Sequence, residues 1–319
     1  MDILCLGELL IDMFPAEIGR SMTEVSAFHP KPGGAPANVA VAAARLGARS
    51  GFIGKVGEDI FGRFLESVLI HEGVDTQGMR FDTQARTTLV FIAMPDVHSA
   101  EFVFYRNPGA DMLLRPDELP VASLQLTRCL HFGSLSLIDE PIRGATLRAI
   151  EIARAAGALI SFDVNYRPAL WSNQEAARQR VLETLPLVDL VKVNQTELKL
   201  LTSFEQMEQG SFELLSHGPR LCVVTLGAEG SFFQSGKHNA FIPGFAVETV
   251  DATGCGDAFV AGMLTQLVRS SHPIDELPAD DLGKALRYAN AVGALTALAQ
   301  GVIPALPHAG QVAEFLQKH

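Results

Sequence analysis

Short apolar runs rich in β-branched residues alternate along the chain with longer segments in which apolar residues recur every three or four positions. The first pattern predicts buried strands and the second predicts amphipathic helices. Predicted strands cover residues 3–6, 51–56, 129–133, 159–163, 190–194 and 221–226. Predicted helices cover residues 36–46, 61–72, 142–156, 174–185, 280–299 and 310–317. This alternation indicates an α/β protein with a mostly parallel central sheet and helices on both faces.

Two stretches interrupt that alternation. Residues 87–94 and 101–106 have the pattern of a β-hairpin joined by residues 95–99, and residues 13–33 or so are irregular and rich in Pro and Gly. We expect the segments at approximately 13–33 and 86–110 to form a small β lid over the main body. Because no internal repeat or linker is evident, the sequence predicts a single domain over residues 1–319.

Composition narrows the function classes. The chain of 319 residues is 48% hydrophobic and carries a formal net charge of −11, which argues against a nucleic-acid partner. Its four cysteines are scattered, which argues against a disulfide framework or a zinc site. No cleavage signal or apolar run near 18 residues is present. These features predict a cytoplasmic protein with no membrane partner.

The segment 251–257, Asp-Ala-Thr-Gly-Cys-Gly-Asp, carries the strongest chemical signal. Phe259, Met263 and Leu267 follow it at helical spacing, so Asp257 falls in the first turn of a helix. The unpaired amides there can hold an anion, and a nearby carboxylate can take a proton from an attacking hydroxyl. This combination suits phosphoryl transfer, although a glycine loop with a helix cap would give a similar pattern.

Polar groups also cluster near predicted strand ends and helix starts. Asp12 follows the first strand and could accept two adjacent hydroxyl groups, or be a solvated loop acid; nearby Glu8 is expected to be structural. Gly33 and Gly34 precede a helix whose first turn contains Asn38, which fits either a ligand contact or a bare helix start.

Three further segments leave strands. Asp163, Asn165 and Arg167 would share one side if the chain stayed extended there. Asn194 and Glu197 have the spacing of a capping box. Residues 225–230 carry two glycines that would ordinarily indicate a turn.

The segment 251–257 resembles the C-terminal signature of the ribokinase-like (PfkB) sugar kinases. The segment from Lys31 to Ala40, continued by Gly47, Gly54, Gly57, Asp59 and Gly62, is similar to the N-terminal signature of that family. Ala252 and Cys255 depart from the usual residues, but both changes are small. The resemblance covers nearly the whole chain and implies a three-layer α/β/α fold with a small β lid.

The resemblance also implies roles for individual residues. Asp257 would be the catalytic base, beside the amides of Gly254, Cys255 and Gly256. Sugar contacts would come from Asp12, Gly33, Gly34, Asn38, Tyr105, Arg106 and Arg167. ATP contacts would come from Lys192, Asn194, Thr225, Gly227, Gly230 and Asn290. Asn194 and Glu197 would hold Mg²⁺ through water, and Asp251 and Thr253 could bind a monovalent cation such as K⁺.

Within the family, residues 33–38, 104–114 and 301–307 look most like those of fructokinases. The expected reaction is therefore transfer of phosphate from ATP to D-fructose. A 2-keto-3-deoxygluconate kinase is an alternative, because Tyr105, Arg106 and Arg167 could bind a carboxylate. Ribose or nucleoside kinases and a non-catalytic sugar sensor are further alternatives. A homodimer formed through the lid is also expected.

Overall fold

The computed structural model describes residues 1–96, 99–270 and 272–319. Its strands are β1 (Ile3–Leu6), β2 (Leu10–Pro15), β3 (Phe28–Gly33), β4 (Ser50–Gly57), β5 (Asp75–Asp82), β6 (Leu89–Asp96), β7 (Ser99–Tyr105), β8 (Cys129–Gly133), β9 (Leu159–Asp163), β10 (Leu190–Asn194), β11 (Leu221–Thr225), β12 (Gly230–Ser235) and β13 (Asn239–Pro243). Its α-helices are α1 (Ala35–Arg45), α2 (Ile60–His71), α3 (Val121–Leu126), α4 (Ile142–Ala155), α5 (Gln174–Thr184), α6 (Gln195–Thr202), α7 (Met207–Ser216), α8 (Cys255–Leu267), α9 (Ala279–Thr296), α10 (Val302–Ala305) and α11 (Ala309–Lys318).

The main sheet has nine strands in the order β13-β12-β11-β10-β9-β8-β1-β4-β5. The seven strands from β11 to β5 are parallel to their neighbours, whereas β12 and β13 add an antiparallel hairpin at one edge. The predicted, mostly parallel central sheet is therefore confirmed. A parallel sheet brings the carboxyl ends of its strands to one edge, and ligands bind beyond that edge in folds of this kind.

Both faces of the sheet are covered, as the three-layer expectation requires. Consecutive residues of β1 belong to different hydrophobic clusters, with Ile3 and Cys5 on the face packed by α1, α8 and α9. Leu4 and Leu6 lie in the cluster formed with α4 on the other face. Because side chains alternate along a strand, a strand covered on both faces must be apolar throughout.

The lid is a second sheet of four strands, in the order β3-β2-β6-β7. Its strand pairs are antiparallel except for β2 and β6, which are parallel. The expectation that residues 13–33 are irregular holds for 16–27 but was wrong at both ends, because 13–15 belong to β2 and 28–33 to β3. Residues 97 and 98 of the predicted hairpin link lie outside the described residues.

Asp59 fastens the base of the lid to the main body. Its carboxylate caps α2 by accepting the N–H of Gly62 at 2.9 Å. The same carboxylate accepts the N–H and the hydroxyl of Thr87, two residues before β6, at 2.9 and 2.8 Å. The start of this lid strand is thus tied to a helix of the main body.

Two expectations about the whole chain can be compared with the fold. All four cysteines are free thiols in the structure. Across the described residues, every helix is too short or too polar to cross a membrane.

Candidate active site

The segment 251–257 leads into α8 at the carboxyl-end edge of the main sheet. Gly254 is the residue before α8 and adopts φ of 77°, a left-handed conformation that favours glycine. A side chain at Gly254 would also overlap Val302. Gly254 therefore turns the chain into α8, and Asp257 in the first turn of that helix is 8% exposed. The sequence predicts an anion site here, the amide cradle, formed by the backbone N–H groups of residues 254–257 beside the Asp257 carboxylate.

Asn38 and Asp257 are joined across the site. Asn38, in α1, donates its side-chain N–H to Asp257 Oδ2 at 2.8 Å, and both residues are buried. The two sequence signatures, 219 residues apart, thus meet at a single hydrogen bond. The Oδ1 atom of Asn38 is buried without a hydrogen-bond partner among the described residues. A buried acceptor of this kind fits a hydroxyl group of a ligand.

Burial weakens the acidity of both carboxylic acids in the site. Desolvation raises the pKa of Asp257 to about 6, opposed by the Asn38 hydrogen bond and by the positive charges of Arg167 and Lys192. Desolvation and the neighbouring charge of Asp257 raise the pKa of Asp12 to about 7. An acid that titrates near neutrality is suited to accept and return protons.

Two glycines make room for Asp12 beside α1. Any side chain at Gly33 would overlap the carboxylate of Asp12, and one at Gly34, where φ is 106°, would overlap the backbone of Glu8. Glu8 in turn accepts the N–H of Ala35 at 2.9 Å, at the start of α1. These contacts agree with a structural role for Glu8 and leave Asp12 facing the centre of the site.

Lys192 lies beneath the start of α8. Its ammonium group contacts both oxygens of Asp163 at 3.1 Å, and the side chains of both residues are buried. A Cβ atom on Gly256 would lie 3.4 Å from Lys192 Nζ, so the ammonium group sits directly below the cradle. Asp163 therefore positions a cation next to the place where an anion would bind.

The chain does not stay extended after β9, contrary to the expectation for Asp163, Asn165 and Arg167. Asn165 has φ of 39°, a left-handed turn that asparagine tolerates. Arg167 is half-buried and donates to the carbonyl of Tyr166 at 3.3 Å. Its charge lowers the pKa of both Asp12 and Asp257, which places it beside the two carboxylates.

Asn194 and Glu197 form the capping box at the start of α6. Asn194 Oδ1 accepts the N–H of Glu197, and Glu197 Oε2 accepts the N–H of Asn194, both at 2.8 Å. Glu197 Oε1 also accepts the N–H of Tyr166 at 2.7 Å. Burial raises the pKa of Glu197, and the charge of Lys192 opposes that shift. Within the described part of the chain, no cluster of three or more metal-binding side chains occurs.

The predicted nucleotide contacts line the neighbouring edge of the sheet. Gly230 follows the Gly227 turn with φ of 121°, and a side chain there would overlap the backbone of β13. Thr225 Oγ1 donates to the carbonyl of Val193 at 3.4 Å. Asn290, in α9, donates to the carbonyls of Ile242 and Pro243, each at 3.1 Å, which ties α9 to β13.

Asp251 organises the loop that leads to the cradle. Its Oδ1 accepts the N–H and hydroxyl of Thr253 at 2.9 and 2.6 Å, and its Oδ2 accepts the N–H of Gly301 at 2.9 Å. Burial raises the pKa of the Cys255 thiol to about 12, so its sulfur is a poor nucleophile at neutral pH.

Tyr105 and Arg106, both predicted to contact the sugar, lie at the end of β7 and just beyond it. Strand register pairs Asp12 with Val90 and pairs Leu89 with Tyr105, so Tyr105 and Asp12 lie on opposite faces of the lid. The guanidinium group of Arg106 is buried in an ion pair with Asp111 at 2.6 Å. The substrate contacts of both residues stay predictions, which these positions do not favour. Sequence spacing had not singled out Asp111, because an Arg and an Asp five residues apart carry no recognisable signal.

A model of the pfkB family of carbohydrate kinases matches residues 1–309. The chain belongs to this carbohydrate kinase family. A probable fructokinase-2 from Arabidopsis thaliana is 43% identical over 316 residues, covering 99% of this chain and 95% of the relative. The crystal structure of a fructokinase with bound ATP from Xylella fastidiosa matches with a TM-score of 0.91 and 36% identity, covering 99% and 98% of the two chains. A Vibrio cholerae fructokinase double mutant, solved with fructose, ADP and potassium ion, matches with a TM-score of 0.88 and 35% identity over the same shares.

The two desolvated carboxyls of the site, Asp12 and Asp257, lower the stability of the folded protein at neutral pH. Unfolded Asp ionises near pH 4, whereas the pKa of Asp12 is about 7, so the ionisation of Asp12 opposes folding increasingly from about pH 4 to pH 7. We expect Asp12→Asn to raise Tm at pH 8 by about 2–6 °C in ligand-free protein, and this gain to vanish near pH 4.

Thermal unfolding followed by circular dichroism at both pH values measures this effect. Glu248→Gln removes a carboxylate from an exposed loop and is the matched control, with little change expected. A lower Tm for Asp12→Asn at pH 8 would contradict the prediction.

Proposed function

We propose that this enzyme is an ATP-dependent fructokinase that transfers the γ-phosphoryl group to the primary hydroxyl that yields fructose 6-phosphate. The observation that carries the proposal is the buried Asn38–Asp257 hydrogen bond at the amide cradle that begins α8. The similarity to fructokinases over nearly the whole chain, including a structure with fructose and ADP, supports the choice of acceptor.

Sugar binding would rest on Asp12, Gly33, Gly34 and Asn38. Asp12 can accept two adjacent hydroxyl groups, and Asn38 offers its unpartnered Oδ1 to a third. Glycine is needed at both positions, because a side chain at Gly33 would displace the carboxylate of Asp12 and one at Gly34 would overlap the backbone of Glu8. A neutral, hydroxyl-rich ligand fits this acceptor-rich surface.

Asp257 would act as the catalytic base. Its carboxylate lies in the first turn of α8, next to amides that can hold the transferring phosphoryl group. The raised pKa of about 6 leaves it ionised at neutral pH, yet basic enough to draw a proton from the attacking hydroxyl. Proton removal and phosphoryl transfer would then both take place at the start of α8.

The phosphates would meet the amides of residues 254–257, with Lys192 and Arg167 as nearby cations. Thr225, Gly227, Gly230, Asn194 and Asn290 would line the nucleotide. Mg²⁺, when bound, supplies positive charge to the phosphates. Asn194 and Glu197 suit contact with it through water, because their side chains already cap α6.

A monovalent cation such as K⁺ is proposed near Asp251 and Thr253. The carboxylate of Asp251 already holds the loop through three hydrogen bonds, so backbone carbonyls would supply the remaining oxygen ligands. The potassium ion named with the Vibrio cholerae fructokinase supports this assignment.

The lid would exclude water, which competes with the sugar as an acceptor. Its outer edge exposes Phe102, Val103 and Tyr105, by 44%, 42% and 63%. We propose that these side chains contribute to a homodimer formed through the lid of a cytoplasmic enzyme. Gel filtration at working concentration tests the dimer, and elution at the monomer mass would exclude it.

A kinase for 2-keto-3-deoxygluconate is the second candidate, since Arg167 is a cation in the site. The structure favours fructose because Tyr105 faces away from Asp12 and Arg106 is already paired with Asp111. Two of the three residues needed for a carboxylate contact are thus not positioned for it.

We expect Asp257→Asn to lower kcat by about 10²–10⁴-fold with fructose, the usual contribution of a general base, while ATP affinity is retained. ADP release with Mg²⁺-ATP is measured over fructose, glucose, ribose, 2-keto-3-deoxygluconate and adenosine. Asp280→Asn changes an exposed Asp in the first turn of α9 and is the matched control. Near-normal turnover in Asp257→Asn would refute its role, and activity confined to another acceptor would refute fructose.

The pH dependence of kcat should report the ionisation of Asp257. Because the base form is active, kcat should fall as the pH drops through the pKa of about 6. The Asn38 hydrogen bond favours the ionised form, so Asn38→Ala should move this acidic limb up by about one pH unit at saturating sugar. Asn239→Ala, at an exposed strand position, should leave the limb in place. An unmoved or lowered limb in Asn38→Ala would contradict the assignment.

A further inference from the structure

A buried ion pair occupies the base of the lid. Arg106 follows β7 directly and donates through Nε to Asp111 Oδ2 at 2.7 Å, while its Nη2 lies 2.6 Å from the same oxygen. Arg106 Nη2 also donates to the carbonyl of Leu135 at 3.4 Å. The other oxygen of Asp111 accepts the hydroxyl of Thr88, just before β6, at 2.5 Å. Asp111 thus holds Arg106 at the base of the lid.

Both charged groups are shielded from water. Arg106 is 5% exposed and Asp111 is 2% exposed. Burial by itself would lower the pKa of Arg106, but the charge of Asp111 raises it, and the net shift is upward. A pair that is buried and doubly hydrogen-bonded keeps its partners together, because separation would leave an uncompensated charge. The guanidinium group is therefore committed to Asp111.

The pair borders the proposed sugar site. Strand register places Asp12, Val90 and Phe104 on one face of the lid, and Arg106 follows Phe104 by two residues. The charge of Arg106 acts on Glu8, and that of Glu8 acts on Asp12. Glu8 also accepts the N–H of Ala35, next to Gly33 and Gly34, so Arg106 lies on the side of the proposed sugar site that Glu8 closes.

We propose that Asp111 is a specificity-determining residue that withholds Arg106 from the substrate and so selects neutral sugars over sugar acids. This inference rests on the proposed function and adds the basis of its substrate choice. Asp111 acts through Arg106 and is a positioning residue, since neither side chain is assigned a contact with fructose. Selectivity for neutral sugars then comes from the ion pair that neutralises Arg106, and not from the absence of a cation at this position.

The test compares kcat/KM for 2-keto-3-deoxygluconate with kcat/KM for fructose, in the full-length enzyme with Mg²⁺-ATP. Asp111→Asn keeps the shape and the acceptor for Thr88 but removes the charge that holds Arg106. We expect the acid-to-fructose ratio to rise at least about tenfold, the effect of one charge-assisted hydrogen bond. Isothermal titration with 2-keto-3-deoxygluconate should show tighter binding by a similar factor.

Two variants separate this effect from a loss of structure. Asp111→Asn/Arg106→Gln should return the ratio to that of the original chain, because the released cation is gone. Asp111→Glu keeps the charge and should keep the preference for fructose. A rise in the ratio that persists in the double variant, or no rise in folded Asp111→Asn, would overturn the proposal.

Arg106→Gln alone keeps the proposal testable if Asp111→Asn fails to fold. The ratio should stay within about twofold of the original, since Arg106 is already neutralised. A tenfold fall would show that Arg106 recognises carboxylates despite Asp111, and would overturn the inference. If the unmodified enzyme has no activity with fructose, the proposed function is wrong and the inference about Asp111 is wrong with it. If that activity is present, the variants test only the role of Asp111.

Discussion

The candidate active site depends on two carboxyls that are held away from water at the edge of the main sheet, at a cost in folding stability. Asp12 and Asp257 come from distant parts of the chain and share one site. Desolvation there raises the pKa of both carboxyls towards neutrality. Two like charges in such surroundings repel, so the neighbouring donors decide how much charge is tolerated. Asn38 and Arg167 supply that compensation for Asp257, one through a hydrogen bond and the other through its charge.

The parallel sheet itself provides this edge. Seven parallel strands end together, so loops far apart in sequence converge without long excursions. Backbone shape contributes as well: Gly33 leaves room for Asp12, and Gly254 adopts the left-handed conformation from which α8 begins. The lid is fastened to the same region through Asp59 and Thr87. The site is thus made by chain geometry first and by charged side chains second.

Local sequence predicted much of this fold because strands buried on both faces must be apolar throughout. The bounds predicted for β1, β8, β9 and β10 agree with the structure at every residue. The lid strands β2 and β3 were missed; for β3, two Pro and a Gly in a strand at the sheet edge look like a loop. The turn at Asn165 was also missed, because an isolated left-handed residue leaves no periodic signal.

Predicting the residue types of the site proved easier than predicting their partners. Asp12, Asn38 and Asp257 were identifiable from motifs, and the structure brings all three together. The pairing of Arg106 with Asp111 was not identifiable, because the packing at the base of the lid determines the hydrogen-bond partners there. A motif can name a charged residue, but only packing determines whether its charge is available to a ligand.

That distinction explains how an acidic chain can handle an anionic nucleotide. The net charge of −11 would repel ATP at long range, yet binding depends on local groups. Lys192 is held by Asp163, Arg106 by Asp111, and Arg167 forms no ion pair within the described part of the chain. Amides at the start of α8 add positive character that cannot be titrated away. The site therefore assigns each cation by its partner: Asp163 places Lys192 beneath the cradle, Asp111 withholds Arg106, and Arg167 remains available beside the reacting groups.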